Sequence, residues 1–390
     1  MRERTTYAIV GAGITGLALA WELTRRGVGE IVVIDRSYSG AGGSGRNVGR
    51  IRAMQLTREL ATFALAAQRK HDRLGGELGA NTLFWRAGYA WVLYDDEEIE
   101  RMRAALDLLR ELRIPARLHD TRGALRRLAV LRGGEVPTGA MIGRDAIVHH
   151  DAVMYAYRKA LARTTVRLWE RREVAGLLRE GSSIRGVAFD DGELRADVVV
   201  NAAGGWARDL SRMAGLDVPN TPVRREVLVT EPSQPFIGPA ITFYRPMEGW
   251  FNQTLRGEMV AGVVDATEPS GLNHASTFEF LRRTASVLLR KAPRLGHLRV
   301  IRQWGGVYDM TPDRKPLVGP SRHAPGLVQA NGYSGRGFAL APIVAELLAG
   351  WLETGERPDT LAAFDPDRFA GVAHAPLSAD YYAGYGEPKR

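Results

Sequence analysis

Three glycines near the start of the chain constrain its fold more than any other feature. Gly11, Gly13 and Gly16 form the pattern G-x-G-x-x-G between an apolar segment that begins at Tyr7 and an Ala- and Leu-rich segment. The first glycine permits a tight turn, the second leaves room for a pyrophosphate, and the third lets helix and strand pack closely. The helix N-terminus offers unpaired N–H groups to an anion. The pattern predicts a βαβ unit that binds a dinucleotide.

A second apolar segment supports this interpretation. Residues 31–34 are all Ile or Val and end in Asp35, which lies 19 positions after Gly16. An acidic side chain at this place is expected to bind a ribose hydroxyl. The alternative is a glycine-rich turn in an ordinary βαβ unit without a ligand. The strand and its acidic end favour an ADP-containing dinucleotide.

The segments that follow distinguish between dinucleotides. Residues 37–52 are rich in Gly and Ser, whereas a nicotinamide-binding domain usually continues directly into its next helix. A flavoprotein needs a donor-rich segment that follows the pyrophosphate towards the isoalloxazine ring. Residues 326–342 again run from an apolar strand through a glycine turn into a helix. The N–H groups at this helix start are suited to stabilise negative charge on a reduced flavin. These segments favour FAD.

Five motifs together resemble the D-amino-acid-oxidase-like family of flavoenzymes, in its sarcosine oxidase, glycine oxidase and proline dehydrogenase branch. They read GAGITG, GGSGRNVGRIR, VVNAAGGWA, WGGVYDMTPDRKPLVGP and NGYSGRGFALAP. The resemblance implies an α/β fold, with a Rossmann-like FAD-binding domain interleaved with an antiparallel-sheet substrate domain. The FAD contacts that it implies are Gly11, Gly13, Ile14, Thr15, Gly16, Asp35, Arg36, Gly43, Ser44, Gly45, Arg46, Asn47, Val174, Ala203, Gly204, Trp206, Gly306, Gly332, Tyr333, Ser334, Gly335, Arg336, Gly337 and Phe338.

The motif positions also predict how the chain is divided. The chain is expected to cross between the two domains more than once. The predicted division is 1–82, 145–222 and 308–374 for the FAD-binding domain, 83–144 and 223–307 for the substrate domain, and 375–390 for a poorly ordered tail. Helices are predicted at 56–74, 97–112, 152–161 and 277–289, and strands at 85–93, 227–230, 240–244, 249–252 and 259–264.

The composition excludes several function classes. The chain has no cysteine, which rules out disulfides, thiolate metal sites, a catalytic thiol and a cysteinyl-flavin bond. The resemblance places Gly306 where several sarcosine oxidases attach the flavin through Cys, so we expect FAD to be noncovalent, or at most attached through another residue type. The net charge of +9 comes mostly from arginines that are scattered rather than clustered with aromatics. We therefore expect no nucleic-acid partner, although a positive field attracts anionic substrates.

The sequence also predicts where the protein resides. The first nucleotide-binding strand begins at residue 7, which leaves no room for a signal peptide. The best candidate for a membrane span, residues 337–351, contains Glu346 and Pro342 and is expected to be a buried helix. We expect a cytoplasmic protein with no membrane span.

Arginines are the first candidates for binding a substrate carboxylate, because the guanidinium fork can bind two oxygens at once. The resemblance makes Arg52 the first choice and Arg50 the second. The alternative for both is pairing with a phosphate or a structural carboxylate. Arg336, in the turn before the last helix, is expected to approach the flavin or the substrate, or to be a solvated turn residue.

The sheet of the substrate domain is expected to supply the pocket wall. Tyr244, Met247 and Trp250 are the candidates, with Tyr244 counted among the catalytic residues and core packing as the alternative. The chain departs from the monomeric sarcosine oxidases at two places. Ala339 stands where those enzymes have a Lys, and residues 260–265 contain no His. The loss of that Lys weakens the expectation of efficient oxygen use.

The segment around His150 resembles the one that carries a second flavin, FMN, in heterotetrameric sarcosine oxidases. His150 is therefore a candidate for covalent FMN at a subunit interface. The favoured alternative is a helix entry in which Asp151 is the N-cap.

The resemblance implies FAD-dependent oxidation of a small amino acid, with sarcosine as the first choice. Hydride leaves the C–H next to nitrogen for the flavin, the imine hydrolyses, and O2 is reduced to H2O2. No protein base is required, because the substrate nitrogen can bind deprotonated. One alternative is the β subunit of a proline or hydroxyproline dehydrogenase complex; another is a flavoprotein assembly factor without catalysis. The chain is expected to be a monomer or a subunit of a hetero-oligomer.

Overall fold

The computed structural model describes residues 3–371 as two large sheets with helices packed on them. The strands, in chain order, are β1 (Glu3–Val10), β2 (Ile31–Ile34), β3 (Arg50–Ile51), β4 (Tyr89–Leu93), β5 (Ala116–Asp120), β6 (Gly139–Gly143), β7 (Ala146–Ile147), β8 (Arg167–Trp169), β9 (Gly176–Glu180), β10 (Ser183–Phe189), β11 (Gly192–Asn201), β12 (Thr221–Pro232), β13 (Ala240–Phe243), β14 (Gly249–Gln253), β15 (Glu258–Val263), β16 (Val300–Met310), β17 (Leu317–Pro320) and β18 (Leu327–Asn331). The α-helices are α1 (Ile14–Arg26), α2 (Arg58–Leu78), α3 (Asp96–Glu111), α4 (Thr121–Arg127), α5 (His150–Leu161), α6 (Ala207–Met213), α7 (Phe278–Lys291) and α8 (Gly337–Thr354).

The first sheet has the strand order β17-β18-β11-β1-β2-β8, and β9 and β10 extend it as a hairpin on β11. The pairs from β18 to β8 are all parallel. Parallel strands are covered on both faces and are therefore continuously apolar, as in β2, where every residue is buried. Helices α1, α2, α5 and α8 cover one face, and the β9–β10 hairpin packs near the other.

The second sheet has the order β16-β12-β15-β14-β13-β4-β6-β5. Successive side chains on a strand point to opposite faces of a sheet. Ile241 and Phe243 of β13 and Phe251 of β14 therefore join one apolar core with α4 and α7. Thr242 and Trp250, at the alternate positions, line a cavity on the other face.

A two-stranded antiparallel ribbon lies between the two sheets. Its strands are β3 and β7, with Arg50 opposite Ile147 and Ile51 opposite Ala146. Asp145, which precedes β7, accepts hydrogen bonds from the backbone N–H groups of Ala53 (2.8 Å) and Met54 (3.4 Å). The ribbon thereby fixes the course of the chain just after the Gly- and Ser-rich segment 37–52. It also places Arg50 and Arg52 beside the cavity.

The structure corrects three of the local predictions. The second sheet is mixed, because β13 pairs parallel with β4. A parallel pair needs a long crossover connection, and the chain supplies one by passing through the first sheet between these strands. The strand predicted at 85–93 begins at Tyr89, with Trp85 forming a single bridge to Ile147. The predicted helices are present with ends shifted by a few residues.

The third correction concerns the start of α5. His149 is the N-cap residue, with φ −90° and ψ 116°, and its side chain makes no capping bond. Asp151 was predicted to be the N-cap, and this is wrong, because the helix already begins at His150. Asp151 lies in the first turn, where its negative charge faces the positive end of the helix dipole.

Domain boundaries remain a proposal. Both sheets are discontinuous in sequence, and β12 and β16 each extend across one of the predicted boundaries. The predicted tail, 375–390, lies outside the described residues.

Among those described, α8 is long and apolar enough to cross a membrane by length and composition. However, it packs against α1 and α2, and half of it is buried in the protein core.

A buried ammonium group holds three helices together. Lys70 of α2 is fully buried, and its Nζ lies 2.7 Å from Glu22 Oε1 on α1, 2.5 Å from Glu77 Oε2 and 2.7 Å from Glu346 Oε2 on α8. Burial lowers the pKa of Lys70, but hydrogen bonds to the three carboxylates outweigh it and raise the pKa overall. The charge therefore persists inside the helix layer.

Replacing Lys70 by Met is expected to lower the free energy of unfolding by about 3–5 kcal/mol, because it leaves three neighbouring carboxylates without their shared cation. Urea unfolding followed by circular dichroism measures this. Arg69→Met is the matched control, since Arg69 is the exposed preceding residue on α2, and should change stability by less than about 0.5 kcal/mol. Equal effects of the two variants would show that the cluster does not join the helices.

Candidate active site

A cavity of about 750 Å³ extends from the carboxyl ends of β1 and β2 to the inner face of the second sheet. Ligands of α/β sheets bind at this edge, and ligand pockets commonly lie at such junctions. The predicted cofactor residues that line it are Gly11, Gly13, Ile14, Thr15, Asp35, Arg36, Gly43, Ser44, Arg46, Asn47, Val174, Ala203, Gly204, Trp206, Gly306, Tyr333, Ser334, Gly335, Arg336, Gly337 and Phe338.

Three predicted glycines do not line the cavity but let the backbone pass where a side chain would collide. A Cβ atom at Gly16 would lie 1.9 Å from the carbonyl oxygen of Gly11, and one at Gly45 would lie 2.5 Å from that of Gly40. At Gly332, where φ is +73°, a Cβ atom would lie 2.7 Å from Thr311. These residues shape the cradle from behind the residues that line it, and their contact with the cofactor stays a prediction.

The βαβ turn has the geometry that a pyrophosphate requires. Gly11 has φ +112°, and a Cβ atom there would lie 2.3 Å from the carbonyl oxygen of Ala202, just after the neighbouring strand β11. A Cβ atom at Gly13 would lie 3.0 Å from Ser44 Oγ, in the Gly- and Ser-rich segment 37–52. Because both glycines keep the backbone bare at the N-terminus of α1, a phosphate can approach the exposed N–H groups there.

Asp35 stands at the end of β2, as predicted. Its Oδ2 accepts a hydrogen bond from the N–H of Ala12 (2.8 Å), and its Oδ1 accepts one from the N–H of Ser37 (2.8 Å). Burial raises the pKa of Asp35, although these two N–H donors oppose the shift. The carboxylate is thus oriented into the cavity by the glycine turn, and its remaining lone pairs are available to ribose hydroxyls.

The segment after β2 is held in place by its own polar groups. Ser44 Oγ accepts a hydrogen bond from the N–H of Ile14 (2.9 Å), and Asn47 Nδ2 donates to the carbonyl oxygen of Ser44 (2.5 Å). Trp304 Nε1 donates to the carbonyl oxygen of Arg46 (2.9 Å). Arg46 Nε is buried without a protein partner. A buried donor on a residue that lines the cavity fits an anionic ligand.

Asp309 holds the glycine turn before α8 through two hydrogen bonds. Its Oδ2 accepts a hydrogen bond from the N–H of Gly332 (2.6 Å), and its carbonyl oxygen accepts one from Ser334 (3.0 Å). Ser334 is held in the left-handed region, with φ +51°. Burial raises the pKa of Asp309 to about 6. The turn directs the N-terminus of α8 at the cavity. The positive end of the helix dipole there favours negative charge on a bound group.

A histidine that sequence reasoning missed completes this helix start. Pro342 lies inside α8 and has no N–H, so the carbonyl oxygen of Phe338 lacks its usual partner in the next turn. Nε2 of His71, on α2, lies 3.2 Å from that oxygen and 3.1 Å from the carbonyl oxygen of Ala339. Burial lowers the pKa of His71 to about 4. The ring is therefore neutral near pH 7, and because both neighbours are acceptors, it carries its proton on Nε2.

Arg52 lies against an aromatic wall of the second sheet. Its guanidinium carbon is 5.2 Å from the ring centre of Tyr89 and 5.0 Å from that of Trp91. Nη1 donates to the hydroxyl of Tyr89 (3.1 Å), and Tyr244 also forms a hydrogen bond with Arg52. Burial opposes the charge on Arg52, but the neighbouring Tyr89, Tyr244 and Asp145 outweigh it and raise its pKa. A charged fork at this cavity wall is suited to a carboxylate.

Arg50, the second choice, is engaged differently. Its Nε donates to Asn252 Oδ1 (2.9 Å), Nη1 to Thr242 Oγ1 (3.0 Å) and Nη2 to the carbonyl oxygen of Ile241 (3.2 Å). Its guanidinium carbon also lies 4.7 Å from the ring centre of Trp250. With all three nitrogen atoms committed to the second sheet, Arg50 is better placed to join that sheet to β3 than to bind substrate.

Several cavity residues were not among the predicted site residues. Glu248 brings a carboxylate into a wall rich in arginines, and Asp145, which does not itself line the cavity, holds the chain after Arg52. Tyr308 packs on the last glycine turn, since a Cβ atom at Gly335 would lie 2.4 Å from its ring. Asp145 and Glu248 lie outside the five motifs, whereas Tyr308 lies inside WGGVYDMTPDRKPLVGP, so a motif could have drawn attention to it.

His150 does not line the cavity. It lies in the first turn of α5, with its ring stacked on that of His149 at 5.3 Å and its Nε2 3.4 Å from Asp151 Oδ1. Burial lowers its pKa. Attachment of a second flavin to His150 stays a prediction that this geometry does not address.

A glycine cradle of the kind that holds a dinucleotide opens onto a sheet whose cavity wall includes the charged side chain of Arg52. This arrangement is that of a flavin-dependent oxidoreductase of amino acids. The chain belongs to the FAD dependent oxidoreductase family, whose model matches residues 6–351. FAD is accordingly its cofactor, and the CH–NH group of amino acids is the donor on which this family acts.

Relatives and solved structures agree with this assignment. The chain is 26% identical to sarcosine oxidase subunit beta of Rhodobacter capsulatus, over 96% of this chain and 93% of that protein. It is 29% identical to glycine oxidase of Pseudomonas putida, over 90% and 94% of the two chains. Its structure matches L-proline dehydrogenase from P. horikoshii with a TM-score of 0.88 and 28% identity, covering 95% and 98%.

Removal of the His71 side chain tests its role in the last turn. His71→Leu leaves the carbonyl oxygen of Phe338 buried without a donor, so we expect a loss of about 1–3 kcal/mol in stability and faster release of FAD. Thermal unfolding and release of flavin fluorescence measure the two effects.

A second substitution separates this contact from general packing. In Pro342→Ala the N–H at position 342 can bond to the Phe338 oxygen, so His71→Leu should cost much less in that background. If the two changes prove additive, His71 does not replace the N–H that proline lacks.

Proposed function

We propose that the chain oxidises a small amino acid at the C–H next to nitrogen, with sarcosine as the first candidate substrate and O2 as the electron acceptor. The observation that carries this proposal is the position of Arg52. Its charged fork lies in the wall of the same cavity that contains the glycine cradle, between Tyr89, Trp91 and Tyr244. A substrate carboxylate bound there would present its α-carbon inside the cavity.

The chain's own residues would bind and orient the substrate. Arg52 would hold the carboxylate through two charge-assisted hydrogen bonds, and Asp145 would keep the Arg52 segment in place through Ala53. The aromatic wall would exclude water and strengthen these interactions. When bound, FAD would supply the hydride acceptor. The backbone N–H groups at the start of α8, which line the cavity, would stabilise negative charge on the reduced flavin. The imine product would be hydrolysed by water.

The proposal includes further expectations about cofactor and location. Gly306 lines the cavity and has no side chain with which to bind flavin covalently, so we propose noncovalent FAD. We also propose a cytoplasmic location. Arg336 is proposed to act near the flavin, because it is the N-cap residue of α8 and its Nη1 donates to the carbonyl oxygen of Arg314 (3.0 Å).

A second candidate is a dehydrogenase of proline type that acts as one subunit of a complex. The structural similarity to L-proline dehydrogenase and the relatives named as beta subunits support it. Ala339, at the place where monomeric sarcosine oxidases have a Lys, is consistent with an acceptor other than O2. The two candidates share the reductive step and differ in what reoxidises the flavin.

The flavin absorbance of the purified holoprotein tests the proposal. The protein is mixed anaerobically with sarcosine, and air is then admitted. Bleaching followed by rapid recovery with H2O2 formation is expected of an oxidase. Bleaching that persists in air would contradict O2 as acceptor and favour the dehydrogenase. If sarcosine causes no bleaching, sarcosine is not the substrate, and the absence of bleaching with proline, glycine and D-amino acids as well would contradict amino-acid oxidation.

Arg52→Gln tests the carboxylate anchor. We expect kcat/KM for the amino acid to fall about a hundredfold, because a charged fork on a carboxylate contributes about 1.5–3 kcal/mol and each 1.4 kcal/mol is a factor of ten. The flavin spectrum should be unchanged, because Arg52 is assigned to the substrate alone. Arg69→Gln, at an exposed position on α2, is the control. An unchanged kcat/KM in Arg52→Gln would exclude this arginine as the anchor.

A further inference from the structure

Glu248 is a carboxylate of the cavity wall to which the rest of the described chain makes no hydrogen bond. It stands between β13 and β14, is half-buried and lines the cavity. Its backbone carbonyl oxygen accepts a hydrogen bond from the N–H of Val264 (2.8 Å), which fixes the hairpin. No hydrogen bond or ion pair joins its side-chain oxygens to residues 3–371. Carboxylates that leave bulk water normally have such partners, so a ligand in the cavity is the expected one.

Four arginines from different elements place positive charge around this carboxylate. The charges that act on Glu248 are those of Arg225, Arg314, Arg52 and Arg336. Each of these side chains also has interactions of its own, as when Arg336 Nη1 donates to the carbonyl oxygen of Arg314 (3.0 Å). The arginines therefore stabilise the ionised form of Glu248 from a distance, while its oxygens stay open to a ligand.

Glu248 can exchange a proton more easily than the groups around it. Burial raises the pKa of Glu248 and the four arginines oppose the shift, with a net rise above the usual value of a glutamate. Tyr244 and Tyr308 also lie in the field of Glu248, and burial raises the pKa of each. Both phenols therefore keep their protons near pH 7, as arginines do. Glu248 accepts a proton more readily than an exposed glutamate would.

Tyr244 is close to both Glu248 and the proposed carboxylate anchor. It forms a hydrogen bond with Arg52, and the charge of Glu248, further along the same hairpin, acts on it. All three side chains line the cavity. An amino acid carries its carboxylate and its ammonium on one carbon atom. An arginine and a glutamate that both neighbour one tyrosine therefore match the two charges of the substrate.

Oxidation at the C–H next to nitrogen requires the nitrogen to lose a proton first. The lone pair of the nitrogen forms the C=N bond as hydride leaves, and an ammonium has no lone pair. Alkylammonium groups such as that of Lys have a pKa of about 10.4, so an amino acid arrives near pH 7 almost entirely as the ammonium. The arginines of the wall disfavour this cation inside the cavity. The site therefore promotes loss of the proton and needs a group that receives it.

We propose that Glu248 binds the ammonium group of the substrate and accepts its proton. The inference rests on the proposed amino-acid oxidation at this site and adds a catalytic residue to it. One N–H bond breaks and one O–H bond forms on Glu248, while the electron pair stays on nitrogen for the C=N bond. The C–H hydrogen departs as hydride and needs no base. The proton on Glu248 returns to water after the imine has been released.

The pH dependence of flavin reduction tests this role. The holoprotein is mixed anaerobically with sarcosine, or with whichever amino acid reduces its flavin. The second-order rate constant of the wild type should be level above the pKa of Glu248 and fall in acid, where Glu248 is already protonated. In Glu248→Gln it should be at least about a hundredfold lower at pH 7 and rise about tenfold per pH unit, because only the free amine then reacts. A loss that is equal at every pH, or no loss, would overturn the inference and leave the proposed function intact.

Two further variants separate proton transfer from a general effect of charge. Glu248→Asp keeps a carboxylate and should retain the shape of the wild-type pH profile at a lower rate. Glu356→Gln makes the same change of charge at an exposed position and should leave the profile unaltered. A Glu248→Asp profile that follows that of Glu248→Gln would show that the carboxylate does not accept the proton.

Ligand binding gives a readout that does not depend on turnover. 2-Aminoisobutyrate has no hydrogen on its α-carbon and so cannot be oxidised there, and pivalate is the same acid with a methyl group in place of the ammonium. Each is titrated into the holoprotein at pH 7, and the perturbation of the flavin spectrum is followed.

The wild type should bind 2-aminoisobutyrate at least about tenfold more tightly than pivalate, as one charge-assisted contact predicts. Glu248→Gln should abolish this preference, and Glu356→Gln should keep it. Equal affinities in the wild type, or an unaltered preference in Glu248→Gln, would overturn the inference. The expected preference in a protein whose flavin no amino acid reduces would keep Glu248 as the ammonium-binding residue and contradict the proposed function.

Discussion

Backbone-to-backbone contact at the first glycine turn is the constraint on which the remaining architecture depends. A Cβ atom at Gly16 would strike the carbonyl oxygen of Gly11, and one at Gly11 would strike that of Ala202, the residue that follows β11. Helix α1 and strands β1 and β11 therefore meet without intervening side chains. This contact sets where the positive end of α1 lies relative to Asp35, and it fixes one end of the cavity that the second sheet closes.

The local units of the nucleotide cradle were predictable because their determinants lie close together in sequence. The β1–α1–β2 unit, Asp35 and the turn before α8 follow from glycine spacing and apolar runs, and the structure contains each of them. The assignment of Arg52 over Arg50 came from a resemblance. That order stays a prediction: Arg50 donates to three polar groups of the second sheet, and Arg52 donates to Tyr89 and Gln55.

The rest was not predictable because it depends on contacts between distant segments. The parallel pairing of β13 with β4 brings together strands that are separated in the chain by four strands of the first sheet, β8 to β11. Glu248 lies in the β13–β14 hairpin, outside every motif. The arginines whose charges act on it come from other elements of the fold, so the sequence alone does not predict its surroundings. The N-cap of α5 was misassigned because Asp is a favoured capping residue, whereas the backbone already turns helical after His149.

The proline inside α8 and the histidine of α2 have a consequence for how this sequence can diverge. Pro342 removes a donor that the helix needs, and His71 restores it from another helix. A change at one position therefore alters the selective value of the residue at the other. Proteins that share this turn should keep both residues or lose both, so that the pair behaves as one inherited unit despite the long stretch of chain between its members.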